Sequence, residues 1–376
     1  MRVAVIIPSY NEADNIALVA TTIDRGLALA SRRFPAVKSA AIINVDNSSP
    51  DKTSEVFRGT PTRFPKFSYQ TKGRPGKGKN LIFFLKKFSA QYDLFITLDA
   101  DLKSLKPEWI VKLLTPLVTD RTCDFVWPIY KRSRFEGSTT NHFAYPLIYA
   151  LFKRKVRQPI AGDFAFRRRL AARIVGEEIS APANHYGIDI LFSIRALQYA
   201  RSAYQINLGQ KIHKPSFSKL ESMFPQIAAA AAAALCSGRP DGPRPRIVTP
   251  PRAGGISPDR NFRHQDFAQA LLKRHLRVIS RILGRVAWLE AGLKTKVRVA
   301  AASKMLDARL WSFVLTAWLA KVSQPGAARA ALSEELLPFF VFRAVSFWNE
   351  AEHLTASRAE KVLTDQTREI RKLLNR

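Results

Sequence analysis

Asp99 and Asp101 stand at the end of the run Tyr92-Asp93-Leu94-Phe95-Ile96-Thr97-Leu98. Such a run reads as a buried strand that delivers two carboxylates, one residue apart, to a functional edge. In open parallel α/β sheets, ligands sit outside the carboxyl ends of the strands. Two acids there suit a hard divalent cation, which takes oxygen ligands and leaves positions open for substrate phosphates. Three segments ahead of this one also carry polar chemistry. Pro8-Ser9-Tyr10-Asn11-Glu12 follows a first apolar run and forms a loop able to hold a nucleotide, with Glu12 reaching a ribose hydroxyl. Asp46-Asn47-Ser48-Ser49-Pro50-Asp51 follows a second run, where Asp46 either accepts hydrogen bonds from a pyrimidine edge or caps the turn. Lys72-Gly73-Arg74-Pro75-Gly76-Lys77-Gly78-Lys79-Asn80 leads into a helix. Its glycines let the backbone approach a diphosphate, and the helix N-terminus favours anions. The spacing is not that of a P-loop.

Stepping between these motifs, short apolar runs alternate with helical patterns. Strands are predicted at 3–7, 41–45, 66–70, 94–98 and 124–129, and helices near 13–31, 52–58, 78–89 and 107–118. This alternation indicates an α/β fold with a mostly parallel, doubly wound sheet flanked by helices. Asp51 ahead of one helix, and Pro107 with Glu108 opening another, are helix-start signals. Residues 131–215 are less regular, with helices near 141–153 and 187–200 and a strand-like stretch at 204–208. The alanine run at 228–234 is a good helix former, and 237–261 is rich in proline and glycine, as a linker would be. Beyond 262 the chain reads as helical to its end, with Trp288, Leu293, Trp311, Trp318, Phe339, Phe342 and Phe347 recurring among Arg and Lys. The expected division is 1–225 for the α/β domain, 226–262 for helix and linker, and 263–376 for a C-terminal helical region.

Sixty Lys and Arg against thirty Asp and Glu give a formal charge of +30, which attracts polyanions, anionic membrane surfaces or phosphorylated substrates. No zinc-finger spacing, RNP-type strand or basic region with heptads is present, so no specific nucleic-acid partner is expected. Two cysteines, Cys123 and Cys236, exclude a disulfide framework and fit a reducing interior. The first residues run directly into a strand, and no apolar stretch reaches the roughly 18 residues of a membrane span. A cytoplasmic protein is expected.

Taken in order, strand-PSYNE, strand-VDNSSPDKT, GKGKN before a helix, and strand-DAD resemble the nucleotide-sugar domain of family 2-like glycosyltransferases of the GT-A fold, over roughly residues 1–225. The second strand has Asp46-Asn47-Ser48-Ser49 where the common form is Asp-Asp-Gly-Ser. Later segments, Gln158-Pro159-Ile160-Ala161-Gly162-Asp163-Phe164-Ala165, Tyr186-Gly187-Ile188-Asp189-Ile190 and Leu208-Gly209-Gln210-Lys211-Ile212-His213-Lys214, resemble glucosyl-3-phosphoglycerate synthases. Mannosylglycerate and glucosylglycerate synthases are similar relatives. The resemblance implies a divalent metal, Mg²⁺ or Mn²⁺, held by Asp101 and His213. It implies a nucleotide-sugar site drawn from Pro8, Tyr10, Glu12, Asp46, Ser48, Lys77, Lys79 and Asp99. It also implies catalytic support from Asp163 and Asp189, where the phosphoglycerate enzymes often carry Glu at the first, and retention of anomeric configuration.

The segment 131–141 is the expected acceptor loop, with Arg132, Arg134, Gly137, Thr139 and Thr140. Basic residues beside hydroxyls and a glycine suit a small carboxylate or phosphate, which Arg grips in bidentate fashion. The expected activity is hexosyl transfer from a nucleoside diphosphate sugar to a small anionic acceptor such as glycerate or 3-phosphoglycerate. A second reading is transfer to a polyprenyl phosphate at a membrane surface, with the aromatic and basic C-terminal helices as an interfacial platform in peripheral membrane contact. Those helices also suit a homodimer contact. A third reading is a catalytically silent polyanion binder, which the intact set of acids argues against.

Overall fold

The computed structural model describes residues 1–212, 219–237, 244–250, 256–257 and 265–375. The expected alternation is present: β1 (Arg2–Ser9), α1 (Ile16–Arg33), β2 (Ser39–Asp46), α2 (Thr53–Gly59), β3 (Lys66–Gln70), α3 (Lys77–Phe88), β4 (Leu94–Thr97), α4 (Pro107–Thr119) and β5 (Cys123–Ser133). Then come α5 (Tyr145–Phe152), β6 (Ala165–Arg167), α6 (Arg168–Val175), α7 (Ile188–Tyr199), β7 (Ser202–Gln210), α8 (Leu220–Cys236), β8 (Arg246–Val248) and β9 (Ile256–Ser257). The remainder is helical: α9 (Gln265–Ile282), α10 (Ala291–Ala302), α11 (Ala308–Val322), α12 (Arg329–Glu352) and α13 (Ala356–Leu374). Of the proline- and glycine-rich stretch, only parts are described, and they hold β8 and β9. His213 lies outside the described residues.

Contacts divide the chain into two compact units that interleave along it, where the sequence reading drew three consecutive segments. Unit 1 comprises Met1–Tyr130, Ile160–Phe217 and Gly238–Gly254; unit 2 comprises Lys131–Pro159, Ser218–Ser237 and Gly255–Arg376.

In unit 1 the strands lie in the order β3-β2-β1-β4-β6-β5-β7-β8. β3, β2, β1 and β4 pair in parallel, whereas β6 is antiparallel to both of its neighbours. β1 and β4 are buried on both faces because helices cover the sheet, which is why Val3–Ile7 and Leu94–Ile96 are uniformly apolar. α1 buries Ile16, Val19, Ala20, Ile23, Leu27 and Ala30 on one face, the spacing of an amphipathic helix, and packs on α4. Pro107 occupies the first turn of α4, as its fixed φ favours.

In unit 2, α12 packs on α8 and α9, and α13 packs on α5 and α11. The alanines of α8 are buried and allow close helix contact, with Phe224 stacked on Phe340 of α12. Trp311, Trp318, Phe339, Phe342 and Phe347 are fully buried and Trp288 nearly so. The expected interfacial platform is therefore corrected, since these aromatics form the core of unit 2. Among the described residues, no helix is long and apolar enough to cross a membrane.

Candidate active site

At the carboxyl ends of β1 and β2 the polar loops hold one another. Asp46 is fully buried, and its carboxylate accepts from Ser49 N (2.9 Å), Ser54 Oγ (3.0 Å) and the Ser49 hydroxyl. This is a turn anchor: Asp46 organises the loop from within and supports Ser48, which adopts φ +54° and donates to Thr71 O. Asn80, fully buried at the start of α3, donates to Val45 O (2.7 Å) and Asn47 Oδ1 (3.0 Å), tying the basic loop to the sheet edge. Pro8 pairs with Val45 inside the sheet, Tyr10 is exposed just beyond it, and the Glu12 carbonyl accepts the first amides of α1.

The glycines of the basic loop serve a different purpose from the one expected. A Cβ on Gly78 would lie 1.8 Å from Ala183 O, and one on Gly76 would lie 2.3 Å from Asn184 O. They admit the backbone of residues 183–185, with Gly78 N donating to His185 O (3.1 Å). Lys79 turns back to the carbonyl of Lys72 and closes its own loop. Lys77 alone of the loop lysines reaches the acids.

Those acids converge from three segments. The Lys77 ammonium lies 2.7 Å from Asp99 Oδ1 and 3.0 Å from Asp189 Oδ1. The second oxygen of Asp99 takes Lys211 Nζ at 2.8 Å, and Lys211 also bonds Asp163 Oδ2 (2.6 Å) and Ala161 O (2.9 Å). Tyr130 OH donates to Asp163 Oδ2 (2.8 Å), and Asp99 N donates to Asp163 Oδ1 (2.9 Å). Gly162, at φ +90°, leaves the space for this meeting: a Cβ there would stand 2.6 Å from Asp99 Oδ2 and 2.8 Å from Lys77 Nζ.

Three aspartates thus face two lysines in a largely desolvated cluster. Burial would raise Asp99, but Lys211 and then Lys77 outweigh it and hold the carboxyl well below the usual range. Burial dominates at Asp189, whose pKa is raised despite Lys77. Burial alone would lower Lys77, yet Asp189 and Asp99 keep it firmly protonated. Asp163 is fully buried and acts through Lys211 and Asp99, whereas the side chains of Asp99 and Asp189 retain 24% and 15% exposure. Two acids with oppositely displaced pKa values around one ammonium are a pattern common at reactive sites.

Asp101 is partly exposed at the same sheet edge. Ile212, the last described residue before His213, exchanges hydrogen bonds with Lys103 and Ser104. Among the described residues, no group of three His, Cys, Asp or Glu side chains is arranged to hold a metal. The described donors therefore do not form a metal centre by themselves, and Asp99 is committed to two ammonium groups.

In unit 2, Arg132, Gly137 and Thr140 of the expected acceptor loop line a small pocket together with Glu136, Asn141 and Arg157. Thr139 is buried beside it. Arg134 turns inward instead, donating to Ala351 O (2.7 Å), which also accepts from Leu354 N, and to Leu354 O just beyond the C-terminal end of α12.

Lys211 and Tyr130 were absent from the expected site. Lys211 follows the strand ending at Gln210 much as Asp99 follows β4, so its position at a strand end was the available signal. Tyr130 gave none, since it reads as one more apolar residue of β5.

Residues 4–175 match the model of glycosyl transferase family 2. Over 206 residues the chain is 28% identical to the dolichol-phosphate mannosyltransferase of Pyrococcus furiosus, covering 52% of each. Over 152 residues it is 25% identical to the mannosylglycerate synthase of Rhodothermus marinus, covering 38% of this chain and 37% of that one. The chain thus spans about half or less of the length of these curated relatives. A crystal structure of glucosyl-3-phosphoglycerate synthase from Mycobacterium tuberculosis, in complex with phosphoglyceric acid, aligns with TM-score 0.50 and 24% identity over 62% of this chain and 79% of that one. That likeness establishes the shared GT-A-like fold.

Proposed function

We propose that this chain transfers a hexosyl group from a nucleoside diphosphate sugar to a small anionic acceptor such as glycerate or 3-phosphoglycerate, in the cytoplasm and with retention of configuration. The bond from the anomeric carbon to the β-phosphate oxygen breaks, a bond to an acceptor hydroxyl oxygen forms, and that hydroxyl loses its proton. A nucleoside diphosphate leaves readily only when its developing charge is neutralised.

The observation that carries this reading is Lys77, held between Asp99 and Asp189 at the start of α3, with Lys211 on the other side of Asp99. Lys77 supplies a preorganised positive charge for the diphosphate. Asp99 faces the donor, and Asp189 supports the reacting centre with its exposed side. Asp163 is a positioning residue that fixes Lys211 and Asp99. Pro8, Tyr10, Glu12 and Ser48 shape the nucleotide side of the edge, Asp46 as their anchor. Mg²⁺ or Mn²⁺ is assigned to Asp101 and His213, where it would supply Lewis-acid charge to the diphosphate. Arg132, Gly137 and Thr140 are assigned to the acceptor.

The test is an activity grid of UDP- and GDP-hexoses against glycerate, 3-phosphoglycerate and a polyprenyl phosphate, with and without metal. Hexosyl transfer to one of the small acids, dependent on Asp101, supports the reading. Transfer to the polyprenyl phosphate alone would replace it with the lipid reading, which the dolichol-phosphate relative favours. Nucleic-acid binding without turnover would leave a silent binder.

A further inference from the structure

The acceptor pocket of unit 2 contains a charge arrangement that its loop sequence alone does not reveal. Arg157 presents its fork to Glu360 of α13, Nε to Oε1 at 2.8 Å and Nη2 to Oε2 at 3.0 Å. Its remaining nitrogen, Nη1, donates to Asn141 Oδ1 (3.0 Å), and the guanidinium lies over the Tyr145 ring at 5.3 Å. Both partners are mostly shielded, with 16% and 32% of their side chains exposed. A bidentate pair of this kind fixes geometry as well as charge. The wall of the pocket also carries Glu136 and Arg132. One of the two arginines of the pocket is thus held by a glutamate supplied from more than 200 residues further along the chain.

We infer that Glu360, through Arg157, limits this pocket to a single negative charge, so that the acceptor is an unphosphorylated hydroxy acid with one carboxylate. A phosphorylated acid adds a phosphate of about −1.5 to −2 at neutral pH, which would meet Glu136 in the pocket wall and an arginine already engaged by Glu360. A single carboxylate needs only one cationic partner and the hydroxyls of the loop. The general positive charge of the chain does not alter the choice, because exposed charges beyond about 10 Å are screened at physiological salt. This inference rests on the reading of the loop as the acceptor site.

The experiment measures binding of glycerate and of 3-phosphoglycerate to the full chain by calorimetry, which needs no turnover, in parallel with transfer kinetics. Wild type is expected to bind glycerate at least about tenfold more tightly. Glu360→Gln frees the Arg157 fork and is expected to move the ratio about tenfold toward the phosphorylated acid, the effect of one charge-assisted hydrogen bond. In the kinetics this change appears in KM while kcat is nearly constant. Glu360→Asp, which keeps the charge, retains the wild-type preference. Glu136→Gln shifts the ratio in the same direction and serves should Glu360→Gln fail to fold. A wild-type preference for 3-phosphoglycerate, binding of neither acid, or a ratio unmoved in every folded variant overturns the inference. Selective binding without transfer from any donor overturns the proposed function and leaves the charge assignment standing.

Discussion

Unit 1 gathers Lys77 and Lys211 against three aspartates and leaves two of those aspartates partly open, whereas unit 2 closes Arg343 completely. Arg343 is fully buried and donates to Glu350 Oε1 (2.8 Å), Leu306 O (3.0 Å) and Gln366 Oε1 (3.1 Å). Gln366 in turn meets the buried His142, whose pKa is driven far down by burial and by Arg343. Both regions bury charge, which costs desolvation. The closed one matches each donor to an acceptor and holds helices together. The open one has three carboxylates for two ammonium groups and keeps an accessible face on two of them. On the proposed function, that contrast separates a structural ion pair from a reactive one.

The largest expected effect tests the open cluster. Lys77→Met is expected to lower kcat/KM for the sugar nucleotide by roughly 10³-fold in folded protein, as loss of a preorganised charge at a leaving group does. Arg343→Met should do the reverse. Orphaning Glu350 and Gln366 costs about 3 kcal/mol of stability, seen as a lower denaturation midpoint with kcat unchanged below the melting range. A large loss of kcat in folded Arg343→Met would erase the distinction between the two regions.

Acidity sharpens the comparison next. The Asp189 carboxyl titrates above its ordinary 3.8 because it is buried, so kcat/KM is expected to fall on the acid side at a pH above that value. Asp189→Asn should lower the rate and abolish that limb. Asp99 behaves oppositely: its folded pKa is depressed, so its contribution to stability is complete above 3.8 and is lost as pH falls toward the folded value. The smallest effect is at Arg134. Arg134→Ala removes hydrogen bonds to the last carbonyls of α12 and should cost about 1 kcal/mol of stability, with the acceptor KM unchanged.

Much of unit 1 was legible in the sequence because its strands are short apolar runs bounded by turn residues, and each element is local. The expected strands at 3–7 and 66–70 and the helix at 107–118 differ from β1, β3 and α4 by at most a few terminal residues. Lys77 and Asp99 belong to two of the four ordered motifs and Asp163 and Asp189 to later segments, so they were grouped only through the resemblance that these segments carry together. β6 escaped notice because three residues carry no periodicity, and its antiparallel pairing depends on strands about 40 and 70 residues away. Gly76 and Gly78 looked like phosphate-binding glycines because the helix follows them; the strand of backbone they admit, at 183–185, is remote in sequence. Arg134 sits among loop residues in sequence, yet its carbonyl partners belong to α12, over 200 residues away. The aromatic positions of α11 and α12 were correctly read as helical, but helical period alone does not say whether such a stripe faces lipid or a core.

The central claim is that the diphosphate of a sugar nucleotide binds where Lys77 stands between Asp99 and Asp189. The most direct measurement is an equilibrium titration of UDP and of GDP against the wild type and against folded Lys77→Met. One of the two nucleotides should bind the wild type and lose at least about tenfold in affinity in the variant, as expected for one charge-assisted contact. Equal affinity in both proteins, or no binding of either nucleotide to the wild type, would contradict the account.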